Sequence, residues 1–139
     1  MKRMLACLGL VTIGLLGLGL RAGAVQAAGA DEAANPEFYS TKVQPILQAN
    51  CYRCHGGTNH RGGLSIQTRA GMLKGGHEGP VLIPGDPANS LLVRLIRHEG
   101  PAKDPMPMPP KQPKLSDADI ATVERWVKAG AIMPEDPQQ

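Results

Sequence analysis

Between Pro36 and Asn50 the apolar residues recur at helical spacing, with Phe38, Val43, Ile46 and Leu47 able to share one face. Pro45 interrupts that run. Its ring has no N–H and clashes with the preceding turn, so the pattern predicts two short helices, the second delivering Cys51. Ahead of them "DEAANP" at 31–36 reads as a loose leading segment. Residues 56–89 carry no sustained period and are punctuated by Gly and Pro, so they predict mostly irregular chain. Within them "GGLSIQTR" at 62–69 alternates, placing Leu64 and Ile66 inward as a short strand or extended loop.

"NSLLVRLIRHE" at 89–99 predicts a short helix capped by Asn89 or Ser90, with Leu91, Leu92, Leu95 and Ile96 on one face. The last helix has the clearest start. Ser116 followed by Asp119 approximates a capping box, and Leu115 with Ile120 forms a hydrophobic staple. Ile120, Val123, Trp126 and Val127 make its apolar stripe, so Trp126 reads as core. Gly130 and Pro134 mark its stop. The expected architecture is all-α: three or more short helices joined by long irregular loops.

The N-terminal segment has a different pattern. Met1-Lys2-Arg3 is basic, Leu5 to Leu20 is an uncharged apolar run, and small residues follow through Ala30. That is the layout of a secretory signal peptide over residues 1–30, with an uncleaved membrane anchor as the alternative reading. Cys7 precedes the apolar run and is set aside. The domain is then 31–139, with a core of about 38–132. Removing residues 1–30 also removes Lys2, Arg3 and Arg21 and no acid. The chain's formal charge of +3 therefore belongs to the leader, and the remainder is neutral, with 12 basic and 12 acidic residues. A neutral chain with one Trp, one Phe and two Tyr offers neither a basic stripe nor stacking platforms, which argues against nucleic acid.

Composition creates a problem that the chemistry resolves. A domain of about 110 residues with few large apolar side chains is marginal on its own core and calls for a disulfide, a metal or a cofactor. Two cysteines remain, Cys51 and Cys54, in "NCYRCHGG" at 50–57. A disulfide, a thioredoxin-like pair and half a zinc site all use C-x-x-C. The redox pair lacks a βαβ context, and the zinc site lacks a second ligand pair. C-x-x-C-H in an exported chain reads as c-type haem attachment, with two thiols for the vinyl groups and His55 beneath the iron. Gly56 and Gly57 keep bulk from the ring edge or cap the helix. One such motif and no internal repeat predict one covalently bound haem c, whose macrocycle supplies the missing apolar bulk.

The sixth ligand is open on the residues alone. "DPMPMPP" at 104–110 holds Met106 and Met108, each before a proline and so biased to an extended backbone. Positions two apart in such a chain are separated by roughly 6–7 Å, so only one reaches the iron. His60, His77 and His98 compete with them, since an imidazole is also a good iron ligand. Arg69, Lys74 and Arg94 are either partners for haem propionates or solvated charges.

Several stretches together resemble one known family: "VQPILQANCYRCHG", "GGLSIQTR", "LKGGHEGPVLIPGDPANSLL", "MPP" and "KLSDADIATVERWVKAGA". From about Phe38 to Ile132 the chain is similar to the planctomycete-type cytochrome c domain, a relative of class I cytochromes c. The resemblance implies a class I-like fold, covalent haem on Cys51 and Cys54, His55 as proximal ligand and a downstream Met as distal ligand. "MPP" looks like the family's ligand motif, and Met108 is its only match. Gln67 departs from the Asp that the family often has before Thr-Arg. The family is common as one module of large exported proteins, whereas here the module stands alone.

The function expected from these readings is an exported, periplasmic single-haem carrier of electrons between redox proteins, a membrane-bound oxidoreductase among the candidate partners, and not an enzyme. The alternatives are a haem subunit docked on an oxidoreductase, or a gas sensor or haem enzyme with a labile sixth ligand.

Overall fold

The computed structural model describes residues 32–100 and 106–134; the leader reading for residues 1–30 lies outside them. The described residues are helical with extended connections, in line with the all-α expectation. They contain no strand, only an isolated bridge between Gly76 and Gly79. None of their helices is long and apolar enough to cross a membrane.

The first helical segment departs from the two-helix expectation. Helix α1 (Pro36–Phe38) runs through a π-helical turn, Tyr39–Val43, into α2 (Gln44–Asn50) without the chain leaving helical geometry. The Gln44 N–H bonds back five residues to the Tyr39 carbonyl. The wider turn makes room where the ring of Pro45 would press on the preceding carbonyls, and places Pro45 at the start of α2, where its missing N–H costs least. A short α3 (Tyr52–His55) follows directly.

Helix α4 (Arg69–Lys74) was not expected. Thr68 caps it, its side chain accepting from the Gly71 N–H at 2.9 Å, and Met72 is fully buried beneath it. Leu64 and Ile66 form the extended connection ahead of it, with Ile66 buried and Leu64 half-buried. Helix α5 (Leu91–Ile96) matches its expected place, but buries more than one face: Leu92, Val93, Leu95 and Ile96 are all buried. Ser90 stands at its N-cap yet makes no capping bond. Its hydroxyl instead accepts from the Ile83 N–H at 2.9 Å and lies 2.9 Å from the Asp86 carbonyl, closing the loop ahead of α5.

Helix α6 (Asp117–Lys128) follows its sequence signals. The Asp119 N–H donates to Ser116 Oγ at 3.1 Å, and the Ser116 hydroxyl donates to the Asp119 carboxylate at 2.7 Å. Leu115 and Ile120 are both buried, as the staple requires. The stripe Ile120, Val123, Trp126, Val127 faces inward against the π-turn and α5. Trp126 is fully buried, its ring 5.4 Å from that of Tyr39, and its indole N–H donates to the Ile132 carbonyl at 2.7 Å. Ser116→Ala should lower stability by about 1 kcal/mol, the usual worth of an N-cap, without altering the site. Thermal melting of the purified protein with its absorption spectrum checks both halves of that statement.

Candidate functional site

A cavity of about 540 Å³ lies between α3, the loops after it, and α5. Its wall is largely apolar: Leu64, Ile66, Val81, Leu92, Leu95 and Ile96. Cys51, Cys54, His55, Met106 and Met108 all line it.

Helix α3 brings the first three together. The His55 N–H bonds the Cys51 carbonyl at 3.0 Å, so the short turn fixes both cysteines and the imidazole on one small element. Both thiols are free and half-buried. Burial, reinforced by neighbouring Cys54, pushes the Cys51 thiol up to about 11. Burial likewise moves His55 below its usual range, opposed by the nearby backbone carbonyls of Arg61 and Leu64. His55 Nδ1 is buried and makes no hydrogen bond. Gly56 ends α3, and Gly57 follows in a left-handed conformation (φ +59°) with open space around it. The cap reading of "GG" therefore holds.

The wall after α4 depends on Gly75. Its φ is +74°, and a β-carbon there would stand 1.8 Å from the Gly79 carbonyl oxygen. Only glycine allows the tight turn that carries Gly76, His77 and Glu78 to the cavity. Val81 is then tied in both directions, its N–H to the Met72 carbonyl at 3.2 Å and its carbonyl to the Leu92 N–H at 2.9 Å.

The two methionines differ in how they are held. The Met108 N–H donates to the Leu95 carbonyl at 3.1 Å, pinning that residue to α5, and its side chain is half-buried. Met106 is 55% exposed. Among the histidines, His77 lines the cavity and His60 and His98 do not. The His77 N–H donates to the Gly62 carbonyl at 2.8 Å, and a β-carbon on Gly63 would come within 3.1 Å of its ring. His77 thus packs on the loop that follows His55.

The three cations considered from sequence do not line the cavity. Arg69 donates from Nε to the Ala131 carbonyl at 3.0 Å and from Nη2 to that of Gly130 at 3.2 Å. It ties α4 to the C-terminal end of α6, where a cation meets the carbonyl end of the helix dipole. The cations at the cavity are Arg53 and Arg61, both exposed. Their signal was position: one lies inside C-x-x-C-H and the other six residues beyond it.

A haem fits these residues on the chemistry of the donors. Two unpaired thiols, an imidazole and a soft thioether share an apolar chamber, and guanidinium groups lie at its wall for an anionic edge. Among the described residues no three or more His, Cys, Asp or Glu are grouped as ligands of a metal ion. No curated protein and no solved structure matches the chain. One family model does, Planctomycete cytochrome C, over a span shorter than the resemblance in the sequence suggested: it begins at Cys51 and ends at Gln112, leaving out α1, α2 and α6. The five donors and all but two of the residues that line the chamber fall within that span, and residues 51–112 of this chain are similar to the planctomycete cytochrome C family.

Proposed function

We propose that the protein is an exported single-haem c-type cytochrome that carries electrons between redox proteins and turns over no small substrate. The similarity of residues 51–112 to a cytochrome c family makes a haem electron-transfer protein the parent reading. The observation that carries the finer one is the shared lining of one apolar cavity by Cys51, Cys54, His55 and Met108. When bound, haem c supplies a reversible one-electron Fe(III)/Fe(II) couple. Cys51 and Cys54 would hold it by thioether bonds, His55 would provide the imidazole ligand, and Met108 would provide the sulfur that favours the reduced state. Arg53 and Arg61 would pair with its carboxylates. Leu92, Leu95 and Ile96 on α5 would keep water from it.

If His55 and Met108 both bind the iron, no coordination site would remain for a substrate. The purified protein is therefore expected to reduce reversibly by one electron and to keep its ferrous absorption spectrum under carbon monoxide. Rapid carbon monoxide binding, or peroxide turnover on the order of 1–1000 per second, would move it to the sensor or enzyme class.

A further inference from the structure

We propose that Met106 is a methionine-oxidation site: a peroxide converts its exposed thioether to the sulfoxide while Met108, two residues on, is spared. The proposal rests on the reading that Met108, and not Met106, meets the iron. Both methionines precede a proline in "MPMPP" at 106–110 and so share one local chemistry. The fold separates them. Met106 and Pro107 are exposed, Met108 is half-buried and Pro109 is buried. The chain therefore enters the chamber wall at Met108, where its N–H reaches the Leu95 carbonyl at 3.1 Å. Met106 is left at the mouth of the same cavity, 55% exposed. The other described methionines are less open. Met72 is fully buried beneath α4, and Met133 is partly buried against the core. Among the described large apolar side chains only Ile83 is comparably exposed, and a hydrocarbon offers a peroxide no electron pair.

The reaction is a two-electron oxygen transfer. The Met106 sulfur gives a lone pair to one oxygen of hydrogen peroxide, and the O–O bond breaks as the S–O bond forms. The proton on the transferred oxygen passes to the departing hydroxide, which leaves as water. The thioether is oxidised by two electrons and the peroxide reduced by two. The step needs an approach to sulfur from solvent, which Met106 offers in the folded protein. Met108 offers it only after a local opening that breaks its bond to Leu95. Coordination would protect Met108 further, since the lone pair that attacks peroxide would then be given to the iron. The product at 106 is a polar, chiral group in place of a flexible apolar one. It alters the mouth of the chamber and touches none of the proposed haem-binding residues. Enzymatic sulfoxide reduction is the class of reaction that reverses it.

The test treats the ferric holoprotein with limiting hydrogen peroxide and follows each methionine by peptide mass spectrometry, with the sulfur-to-iron charge-transfer band recorded alongside. Met106 should gain one oxygen about tenfold faster than Met108 or Met133, which must wait for local opening, and Met72 should be slowest. The band should persist while only Met106 is oxidised. In denaturant Met106 and Met108 should react at equal rates, and a preference that survived unfolding would overturn the structural basis of the proposal. In Met106→Leu the fast uptake of one oxygen should vanish with the band unchanged. Equal rates in the folded protein, with the band falling in step with Met108 sulfoxide, would overturn the proposal and leave the ligation reading standing. Oxidation of Met108 with Met106 spared and the band intact would put Met106 on the iron and defeat both.

Discussion

Replacing both Cys51 and Cys54 with alanine is expected to leave little folded haem protein after export. On the proposed reading the two substitutions would remove both thioether bonds, and the chamber of about 540 Å³ would then lose its covalently held occupant. Its apolar wall would then be left to water, and it is built from α5 and the turns around Gly75, which are held mainly by single backbone bonds such as Leu92 to Val81. The Trp126–Tyr39 side of the molecule does not line the chamber and should retain helix longest. Haem staining of a denaturing gel and far-UV circular dichroism of the exported fraction measure the two consequences. A normally folded protein recovered without covalent haem would show that the cysteines serve another purpose. A single replacement should do less, since on the same reading one thioether bond and His55 would remain.

How much of this was legible in the sequence follows the range of the interactions concerned. Helix α6 was readable because Ser116, Asp119, Leu115 and Ile120 act within five residues of one another, and its stripe is long enough to show a period. The C-x-x-C-H motif stood out for the same reason, its three residues lying within one five-residue stretch that α3 gathers at the cavity. Helix α4 was missed although Thr68 caps it, because six residues with Gly71 inside them display no period. Pro45 was read as a break, whereas the chain widens into a π-turn; the choice is made by Tyr39 and Val43, which must stay buried against α6. Arg69 could not be placed from sequence, since its partners are the carbonyls of Gly130 and Ala131, some sixty residues away. Gln67 drew notice only as a departure from the family's usual residue, and its bond to Gly57 gives that departure a physical use.

Exchanging Met108 for leucine is expected to abolish the sulfur-to-iron charge-transfer band of the ferric protein and lower its reduction potential, while Met106→Leu should preserve the band. Sequence geometry alone left the two equal, since each precedes a proline in "DPMPMPP". Resemblance favoured Met108, through "MPP". The structure adds an independent argument. Both side chains line the cavity, but a ligand must be held against thermal motion, and only Met108 has its backbone fixed to a wall helix, through the Leu95 carbonyl at 3.1 Å. Met106 also lines the cavity but is 55% exposed, so it is the less firmly held of the two. Leucine is close to methionine in volume, so either exchange should cost under about 1.5 kcal/mol in packing. The spectrum therefore reports ligation and not collapse. A band lost in Met106→Leu and kept in Met108→Leu would reassign the ligand to Met106. A band absent from the unmutated protein would point to an imidazole, and His77, the remaining histidine at the cavity, would be the residue to replace next.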